Sequence, residues 1–499
     1  MELYYNQGQL WSTSIDRQIE SGVAIDQNGS LFVAGGYDGG KLFALNASTG
    51  NPIWEYSIPN TPNDLEWEPH VGPDGTVYFL APSGKVYAFN PSNGTVKWQH
   101  DSNQTGYGGI GQPLVGHDGT LYFKNFALNS SNQSVKWAPK GITLGRLLGI
   151  DAQGSLVAEN FATFTVSILP RKKALQGATT LKLIGLNPAN GQIQWELPPP
   201  SGRKWGNEAA ALGASNLLYI GTEESGPPLV REIVAMNTAN QTKVWTFRFE
   251  NDVAEAHPVL GLNNRLHVSD DFNLIYTLDA FTGAKLWEFE APDHVRIKST
   301  PLVGNDGTVY ALCDTGLIFA LDGATGALIE KYCSGFGSDG SLNMDANGTL
   351  FTTEKHGRII SAFRTISSGL ANTPWPRYLG DAQNSGRSKV QPFILTHPKD
   401  VNATLGMSAT FDVNATGTIP LTYQWQKNGV DIDGATTDKL TLTNIKTDDN
   451  GTYRVIVSNS VGSVTSNGAL LSVSASDPLA SGLVAYYPFN GNANDESGN

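Results

Sequence analysis

The stretch KVYAFNPSNGTVKW, residues 85–98, decides the fold, because it has the pattern of a strand, a tight polar turn and a second strand closed by tryptophan. Nearly the same phrase, KLFALNASTGNPIW, stands at residues 41–54. Both fit an eleven-residue frame, Ala-x-Asn/Asp-x-x-x-Gly-x-x-x-Trp. In such a turn the Asn or Asp side chain bonds its own downstream backbone, and glycine supplies the left-handed residue. The frame therefore predicts a hairpin that carries a large apolar side chain on its outer strand.

The frame recurs along the first two thirds of the chain. Its copies end at positions 54, 98, 137, 195, 245, 287 and 330, and Glu330 replaces tryptophan in the last one. Gln133 and Gln241 replace the glycine in two copies. A period in the forties built of short strands predicts a β-propeller, whose four-stranded blades each need neighbours to cover their faces. We expect the following blade tryptophans to be structural: Trp11, Trp54, Trp98, Trp137, Trp195, Trp245 and Trp287.

The blade count depends on a second phrase upstream of each frame, as in GPDGTVYFL (72–80) and GNDGTVYAL (304–312). Asp-Gly and Asn-Gly pairs between alternating runs are typical hairpin turns. Seven complete blades follow, and an eighth begins near residue 337 without a fourth strand. Residues 8–11, GQLW, have the pattern of an unattached fourth strand, so we predict that they close an eight-bladed ring. Seven blades remain the alternative, because the third and fourth are irregular.

Composition fits an all-β protein and narrows its partners. Charged residues make up 16% of the chain, which contains 55 glycines, and the net charge of −13 argues against nucleic acid as a partner. No apolar run is long enough for a transmembrane segment. The start, MELYYNQGQLW, lacks the features of a signal peptide, so the protein is cytosolic or its true start lies upstream. Sequence leaves open whether Cys313 and Cys333 are bonded.

The repeated frame over residues 1–370 resembles the tryptophan-docking motif of the quinoprotein (PQQ-like) β-propeller family. That resemblance implies either a dehydrogenase carrying pyrroloquinoline quinone and Ca²⁺, or a non-catalytic protein-binding member. The adjacent cysteines of the alcohol dehydrogenases are absent, since Cys313 and Cys333 lie twenty residues apart. No calcium-ligand set or catalytic aspartate of those enzymes can be traced. We therefore expect no catalytic residues and no cofactor.

Two further segments follow the repeats. Residues 391–475 resemble an immunoglobulin-like sandwich, with Trp425 as the core tryptophan and Asp449 and Tyr453 in a tyrosine corner. Val413 and Val455 stand where that family has its cysteines. Residues 481–499, SGLVAYYPFNGNANDESGN, resemble the opening of a laminin-G/concanavalin-like jelly roll. The predicted division is a propeller over 1–370, a linker over 371–390, the sandwich over 391–475, and a linker with a truncated jelly-roll start over 476–499.

Candidate ligand residues lie at the start of the innermost strand of each blade, which lines the central channel. Alignment on GQPLVGHDG (111–119) predicts the following channel-rim set: Ser21, Glu68, Gln112, Arg146, His257 and Thr300. Such a set suits a small polar ligand or a peptide end. The competing interpretation, which we favour, is that polar residues line a wet pore because water solvates them there.

Other polar patterns have simpler explanations than a site. Glu66, Glu68 and His70 in EWEPH would supply too few ligands for zinc, and a solvated loop is favoured. The runs at Asp26 and Asp345 lack the distal glutamate of a calcium loop and are assigned to hairpin turns. The cluster RKK (171–173) fits a solvated loop tip. No metal site is expected.

The sequence therefore favours a non-catalytic extracellular or cell-surface binding or adhesion protein. The propeller would be the interaction platform for a protein or glycan ligand, and the sandwich would be a spacer. The alternatives are a divergent quinone- and calcium-dependent dehydrogenase and a scaffold for protein assembly in the envelope.

Overall fold

The computed structural model of the chain contains strands and turns. It describes residues 8–36, 40–59, 68–102, 112–116, 118–138, 143–151, 155–161, 181–201, 203–213, 216–224, 231–250, 257–270, 272–297, 299–334, 342–354, 357–371, 373, 376–377, 380–381, 392–416, 421–459 and 462–474. Within these ranges the only helical elements are 3₁₀ turns at Pro292–His294 and Thr447–Asp449. The chain divides into two compact units, residues 1–389 and residues 390–499. The prediction of an all-β protein is confirmed.

Unit 1 contains eight four-stranded antiparallel sheets among its described residues. The first strand of the described residues is β1 (Gln9–Ser14), and seven sheets follow, each made of four consecutive strands. Sheet 1 contains β2 (Ile19–Ile25), β3 (Ser30–Gly35), β4 (Lys41–Asn46) and β5 (Pro52–Ser57); sheet 2 contains β6 (His70–Val71), β7 (Val77–Leu80), β8 (Lys85–Phe89) and β9 (Val96–Asp101). Sheet 3 contains β10 (Leu114–Val115), β11 (Leu121–Tyr122), β12 (Ala127–Leu128) and β13 (Val135–Trp137); sheet 4 contains β14 (Thr143–Ile150), β15 (Leu156–Phe161), β16 (Leu181–Leu186) and β17 (Ile193–Leu197).

The remaining sheets of unit 1 keep this order until the last. Sheet 5 contains β18 (Arg203–Leu212), β19 (Leu217–Glu224), β20 (Arg231–Asn237) and β21 (Thr242–Arg248); sheet 6 contains β22 (His257–Leu260), β23 (Arg265–Ser269), β24 (Leu274–Asp279) and β25 (Lys285–Glu290). Sheet 7 contains β26 (Leu302–Val303), β27 (Thr308–Leu312), β28 (Leu317–Asp322) and β29 (Leu328–Cys333). Sheet 8 contains β30 (Leu342–Met344), β31 (Thr349–Thr353) and β32 (Ile359–Arg364), and its fourth strand is β1.

The first strands of consecutive sheets contact one another from sheet 1 to sheet 7, and the first strand of sheet 8 contacts that of sheet 1, so these strands form the inner layer of unit 1. Hydrophobic clusters extend between neighbouring sheets, as expected for blades that cover one another's faces. One cluster joins Phe351 of sheet 8 to Val33 of sheet 1, and another joins Leu350 of sheet 8 to Tyr310 of sheet 7. The prediction of a β-propeller is confirmed.

Strand β1 joins the two ends of the repeat region. It runs antiparallel to β32, with Trp11 opposite Ala362 and Ser14 opposite Ile359. The backbone amide of Arg364 also donates to the carbonyl oxygen of Gly8, at 2.7 Å. Residues more than three hundred positions apart therefore share one sheet, and that sheet has no unpaired edge at β32.

The tryptophan of one sheet packs on the glycine turn of the next sheet. The indole Nε1 of Trp54 donates to the carbonyl of Pro91 at 2.7 Å, and a Cβ on Gly94 would lie 2.6 Å from the Trp54 ring. Trp11, Trp137, Trp245 and Trp287 make the same bond to the residue that follows the turn Asn or Asp of the next sheet. The turn glycine is thus required both for its positive φ and for the space it leaves.

Three copies of the frame depart from this arrangement. Gln133 and Gln241, which replace the glycine, adopt positive φ angles of 57° and 60°. In sheet 7, where Glu330 replaces tryptophan, the buried Tyr332 occupies the joint to sheet 8. A Cβ on Gly8 would lie 3.1 Å from the Tyr332 ring, and the Tyr332 hydroxyl donates to Glu330 Oε2 at 2.7 Å. Burial raises the pKa of Tyr332, so this hydroxyl keeps its proton.

The described residues of 365–381, which follow β32 within unit 1, are called the tail segment. Of the predicted linker over 371–390, the structure describes residues 371, 373, 376–377 and 380–381. Val303 of the inner strand β26 donates its amide to Pro376 and accepts the amide of Ala371, at 2.9 and 2.8 Å. Thr373 Oγ1 donates to the carbonyl of Leu260 in β22 at 2.6 Å. The bonded backbone groups of Val303 and Leu260 lie on the edge of each first strand that has no neighbouring strand in its own sheet. The tail segment therefore supplies hydrogen-bond partners to backbone groups that would otherwise need water.

Arg377 is the most deeply buried charged side chain of the tail segment, with no exposed surface. Its Nε donates to the carbonyl of Leu342 at 3.1 Å, and its Nη1 donates to the carbonyl of Asp381 at 2.7 Å. Ser367 Oγ adds a bond to Asp306 Oδ1 at 2.6 Å. The tail segment therefore connects to the first strands of sheets 6, 7 and 8.

Unit 2 is a β-sandwich with the predicted core. Its strands are β33 (Phe393–Thr396), β34 (Val401–Thr404), β35 (Ala409–Asp412), β36 (Asn414–Thr416), β37 (Thr422–Lys427), β38 (Val430–Asp431), β39 (Lys439–Leu442), β40 (Gly451–Ser458), β41 (Ser463–Thr465) and β42 (Ala469–Ser474). Trp425 is fully buried, and Val413 and Val455 fill the same core without a bridge. The Tyr453 hydroxyl donates to the carbonyl of Asp449 at 2.9 Å, which forms the predicted tyrosine corner. The jelly-roll resemblance at residues 481–499 lies outside the described residues.

Candidate recognition site at the ring mouth

The predicted channel-rim residues lie in the first half of the first strands or just before them, towards one end of the inner layer, which we call the mouth. Ser21 and Glu68 are buried there, whereas Gln112, Arg146, His257 and Thr300 are partly exposed. Of these six described residues, only His257 and Thr300 form a hydrogen bond with each other, between His257 Nδ1 and Thr300 Oγ1 at 3.2 Å. Ser21 instead bonds its own hairpin, because its hydroxyl donates to Ala34 and accepts from the Ala34 amide.

Arg146 belongs to a polar cluster on sheet 4. Its guanidinium binds Glu159 Oε1 at 2.8 Å, and its backbone amide donates to Oε2 of the same side chain at 3.1 Å. Glu159 is 3% exposed. The amine of Lys124, from sheet 3, interacts electrostatically with both, and burial lowers its pKa. A buried carboxylate paired in this way is fixed in position.

Sheet 5 supplies a second arginine–glutamate pair at the same end. Arg203 Nη2 binds Glu232 Oε1 at 2.9 Å, with side-chain exposures of 12% and 13%. Trp205 lies two residues after Arg203 on the same strand and stands opposite Thr222, which in turn stands opposite Glu232. Directly opposed residues of antiparallel strands share a face. Arg203, Trp205, Thr222 and Glu232 therefore form one layer on one face of sheet 5.

That layer faces sheet 4 and the Arg146–Glu159 pair. The Tyr219 hydroxyl bonds Ala280 of sheet 6, so Thr222, three residues further along β19, points the opposite way, towards sheet 4. On sheet 4, Val157 packs in the cluster that contains Trp205, and Glu159 shares the face of Val157. The Arg146–Glu159 pair of sheet 4 and, on sheet 5, the Arg203–Glu232 pair with Trp205 and Thr222 therefore lie on facing sides of the interface between these two sheets. We call this arrangement the 4/5 layer.

Two buried polar atoms of the 4/5 layer have no hydrogen-bond partner within the described residues. They are Trp205 Nε1 and Thr222 Oγ1. Trp205 is 2% exposed and Thr222 is 1% exposed, so bulk water does not reach them. Leaving a buried donor unsatisfied costs about 1–3 kcal/mol, so a pair of such groups in one row requires an explanation.

Sequence reasoning found Arg146 but missed the rest of the 4/5 layer. One signal was present, because Trp205 is a tryptophan of the repeat region that falls outside the eleven-residue frame. Its pairing with Thr222 and its approach to sheet 4 depend on a bulge in β18 between Trp205 and Ala210. The repeat does not encode that bulge, so alignment of the copies could not locate the layer.

The other sequence candidates have local structural roles. Asp26 Oδ1 accepts the amides of Asn28 and Ser30, as in a hairpin turn, and Asp345 does the same with Asn347 and Thr349. Glu66 and residues 171–173 lie outside the described residues. Within the described ranges, no three His, Cys, Asp or Glu side chains converge on a point that would hold a metal ion.

Both cysteines are free thiols. The backbone of Cys313 bonds Leu317, and Leu317 stands opposite Cys333 on the next strand. Two strand spacings separate the cysteines by about 10 Å, which is beyond the reach of a disulfide. Burial raises the pKa of Cys313 to about 12.

Comparison with known proteins identifies the family. Residues 5–160 and 182–370 match the family described as outer membrane protein assembly factor BamB. The chain belongs to that family. Residues 392–473 match the immunoglobulin I-set domain, which confirms the predicted sandwich. No helix of the described residues is long and apolar enough to cross a membrane.

Individual relatives of this BamB-family chain cover only parts of it or share little sequence. Leucine-rich repeat-containing protein 4B from Mus musculus and from Homo sapiens is 35% identical over 116 residues, or 21% of this chain. The chain spans only 16% of the length of those relatives. The designed protein Ika8 covers 72% of the chain at 13% identity, with 100% of its own length and a TM-score of 0.50, which shows the fold alone. BamB from Moraxella catarrhalis covers 72% of the chain and 97% of its own length, with 13% identity and a TM-score of 0.37.

Proposed function

We propose that this protein is a non-catalytic binding protein of the cell exterior or cell surface, and that the mouth of its propeller receives a protein partner. The observation that carries the proposal is the 4/5 layer. An arginine–glutamate pair on each of sheets 4 and 5 lies at an end of the inner layer, where a buried indole N–H and a buried hydroxyl have no hydrogen-bond partner within the described residues. Tryptophan and arginine are enriched at protein recognition surfaces.

In this proposal the eight sheets are the blades of one closed ring, and unit 2 is a spacer. The pairing of β1 with β32 supports the closure. The resemblance of residues 481–499 to a jelly roll adds to this proposal a glycan- or protein-binding module after the spacer. The family description of BamB, an outer membrane protein assembly factor, favours a second candidate, a scaffold for protein assembly in the envelope.

Site-specific photo-crosslinking tests the platform. A photoreactive residue replaces Gln112, which is partly exposed at the mouth, and in a matched variant it replaces Ser48, exposed in a turn of sheet 1 at the other end. We expect a discrete protein adduct from position 112 in whole cells and none from position 48. Equal adducts from both positions, or none from either, would contradict the proposal.

A titration with pyrroloquinoline quinone and Ca²⁺ tests the absence of quinone chemistry. We expect a flat absorbance record and no dye-linked alcohol oxidation by the full chain. A saturable absorbance change would instead favour the divergent dehydrogenase.

A further inference from the structure

One joint between neighbouring sheets departs from the repeat in a way that leaves space. The second strands of sheets 2, 3 and 5 each place a tyrosine against the tryptophan of the same sheet: Tyr78, Tyr122 and Tyr219. In sheet 6 that place is taken by His267, whose ring lies 5.6 Å from that of Trp287. An imidazole ring is shorter than a hydroxyphenyl ring, so His267 leaves volume that a tyrosine would fill at the joint between sheets 6 and 7.

A cavity of about 100 Å³ lies at this joint, and we call it the 6/7 cavity. Its polar lining residues are Asn263, Arg265, His267, Asp306, Thr308 and Asp322. They stand in or near the turns that follow β22, β26 and β28, so the cavity lies at the opposite end of the sheets from the mouth. The cavity opens at the surface, because Asn263, Asp306 and a further lining residue, Ala324, are exposed.

The neighbouring joint shows which group is missing from the 6/7 cavity. Between sheets 5 and 6, the carbonyl oxygen of Ala280 accepts from Trp245 Nε1 at 2.9 Å and from the Tyr219 hydroxyl at 3.1 Å. Between sheets 6 and 7 the equivalent carbonyl is that of Gly323, and Trp287 Nε1, at 3.1 Å, is its only donor among the described residues. Gly323 lines the cavity, so an entering hydroxyl can donate to this carbonyl as the tyrosine does at the other joint.

Arg265 supplies the cavity with a cation. It stands where the aligned segment of sheet 7 has Thr308, since GLNNRLHV (261–268) corresponds to GNDGTVYA (304–311). It is partly exposed, and its guanidinium forms no hydrogen bond or ion pair with any described residue. A guanidinium only donates, whereas a backbone carbonyl only accepts. A group that bridges Arg265 and the Gly323 carbonyl must therefore do both, as a hydroxyl does.

Further charges in the 6/7 cavity favour a neutral ligand over an ion. Asp306 and Asp322 contribute two carboxylates. The hydrogen bond from the Thr325 hydroxyl holds the pKa of Asp322 below its usual range, so this carboxyl is ionised at neutral pH. An anion would be repelled by the carboxylates, and a cation would be repelled by Arg265. Hydroxyl groups carry no charge, and adjacent ones can together accept from the guanidinium and donate to a carboxylate.

The size and lining of the cavity select among groups that carry hydroxyls. A volume of about 100 Å³ equals the space of roughly three water molecules. Such a space takes two neighbouring hydroxyl groups and the carbons that carry them, which is one edge of a sugar ring. A phenol ring would instead place apolar surface against a mostly polar wall, and covering polar groups without giving them partners is unfavourable.

We propose that the 6/7 cavity binds one edge of a sugar through adjacent hydroxyl groups. One hydroxyl accepts from Arg265 and donates to the Gly323 carbonyl, and its neighbour donates to Asp322. The first hydroxyl thus takes the place that the Tyr219 hydroxyl has at the joint between sheets 5 and 6. This inference goes beyond the protein-binding role proposed for the mouth and is independent of it, because the two sites lie at opposite ends of the sheets.

Nuclear magnetic resonance on the full chain with ¹⁵N-labelled tryptophan tests the inference, because the Trp287 indole N–H bonds a wall of the cavity. Its signal is assigned by its loss in Trp287→Phe. The methyl glycosides of mannose, glucose and galactose present differently arranged pairs of hydroxyl groups. 2-Methoxytetrahydropyran is the matched ring without hydroxyls, p-cresol stands for a tyrosine side chain, and sodium acetate stands for an anion. We expect a saturable shift of the Trp287 signal with at least one glycoside and none with the other three compounds.

Two substitutions that restore the repeat give the second readout. His267→Tyr should abolish the glycoside-induced shift, because the longer side chain fills the cavity. Arg265→Thr should weaken glycoside binding about tenfold, as loss of one hydrogen bond to a charged group predicts. Arg364→Thr makes the same change at an exposed arginine of sheet 8 and is the matched control, which should leave binding unchanged.

Three results would overturn the inference: no saturable shift with any glycoside, an equal shift with one of the other three compounds, or undiminished binding in both Arg265→Thr and His267→Tyr. The first result would mean that water alone fills the cavity. An equal shift with p-cresol would assign the cavity to a tyrosine of a protein partner, and one with acetate would assign it to an anion. Arg265→Thr keeps the test decisive if His267→Tyr does not fold, because Arg265 is partly exposed.

Discussion

Gln133 and Gln241 occupy backbone positions that suit glycine. Both have positive φ, and both correspond to the turn glycine against which the preceding tryptophan packs in other sheets. A residue with a Cβ costs about 1 kcal/mol more than glycine in the left-handed region.

We therefore expect Gln133→Gly to raise the free energy of unfolding of unit 1 by about 1 kcal/mol. Urea denaturation followed by tryptophan fluorescence measures the change. The reverse change at an intact joint, Gly94→Ala, should destabilise unit 1, since its Cβ would lie 2.6 Å from the Trp54 ring. A neutral or destabilising Gln133→Gly would show that the glutamine side chain makes a compensating contact.

Single residues also show how far the sequence predicts the structure. The turn roles of Asp26 and Asp345, the tryptophan docking and the core position of Trp425 all follow from local spacing, because the interactions repeat at fixed offsets. Trp205 and Arg377 could not be placed in this way. Their surroundings come from sheets or strands far away in the chain, and each occurs only once.

At the scale of the strand, β23 contains a buried titratable side chain. His267 is 1% exposed, its Nδ1 lies 2.6 Å from Thr277 Oγ1, and its ring packs against Trp287. Burial, with the nearby Arg265 charge, lowers the pKa of His267 to about 3. An unfolded histidine has a pKa near 6.5, so between these two values the unfolded state binds the extra proton.

Stability should therefore fall as the pH drops below about 6.5, by about 2 kcal/mol between pH 7 and pH 5 from this group. His267→Phe keeps a ring against Trp287 but cannot titrate. It should be less stable at pH 7, because Thr277 loses a partner, and should show a smaller loss on acidification. Denaturation at both pH values measures this, with the exposed His294→Asn as the control. An identical pH response in His267→Phe and the unmodified protein would refute the assignment.

The tail segment shows why element boundaries were harder to predict than elements. Residues 371–390 have no repeat pattern and contain prolines and glycines, which favoured a linker. The backbone groups of Ala371 and Pro376 nevertheless bond the edge of β26. The edges of inner strands need partners, but sequence does not show which segment supplies them.

At the scale of the whole molecule, closure depends on β1. Trp11 Nε1 donates to Ala47 at 2.9 Å, and the Trp11 ring lies 5.9 Å from that of Phe351, so one side chain links sheet 8 to sheet 1. The terminal strand was predictable because GQLW repeats the end of the frame. The neighbouring residue Leu10 is 41% exposed.

We expect Trp11→Ala to destabilise unit 1 by about 3 kcal/mol, since it removes a large ring and its hydrogen bond from the closing joint. Leu10→Ala, on the same strand, should change stability by less than about 0.5 kcal/mol. Chemical denaturation of the two variants gives the comparison. Equal effects would mean that the strand contributes through its backbone pairing and that the indole adds little.

The position of the tail segment has a mechanical consequence. Gln9 pairs with Phe363 at one end of the β1–β32 ladder, and the chain enters β1 and leaves β32 at that same end. Tension applied to the chain before β1 and after β32 would therefore open the ladder one hydrogen bond at a time. Along the chain, four hydrogen-bonded residues stand after the ladder and before unit 2: Ser367, Ala371, Thr373 and Arg377. A force applied through unit 2 would act on these hydrogen bonds of the tail segment first. The β1–β32 ladder would bear that force only after they break.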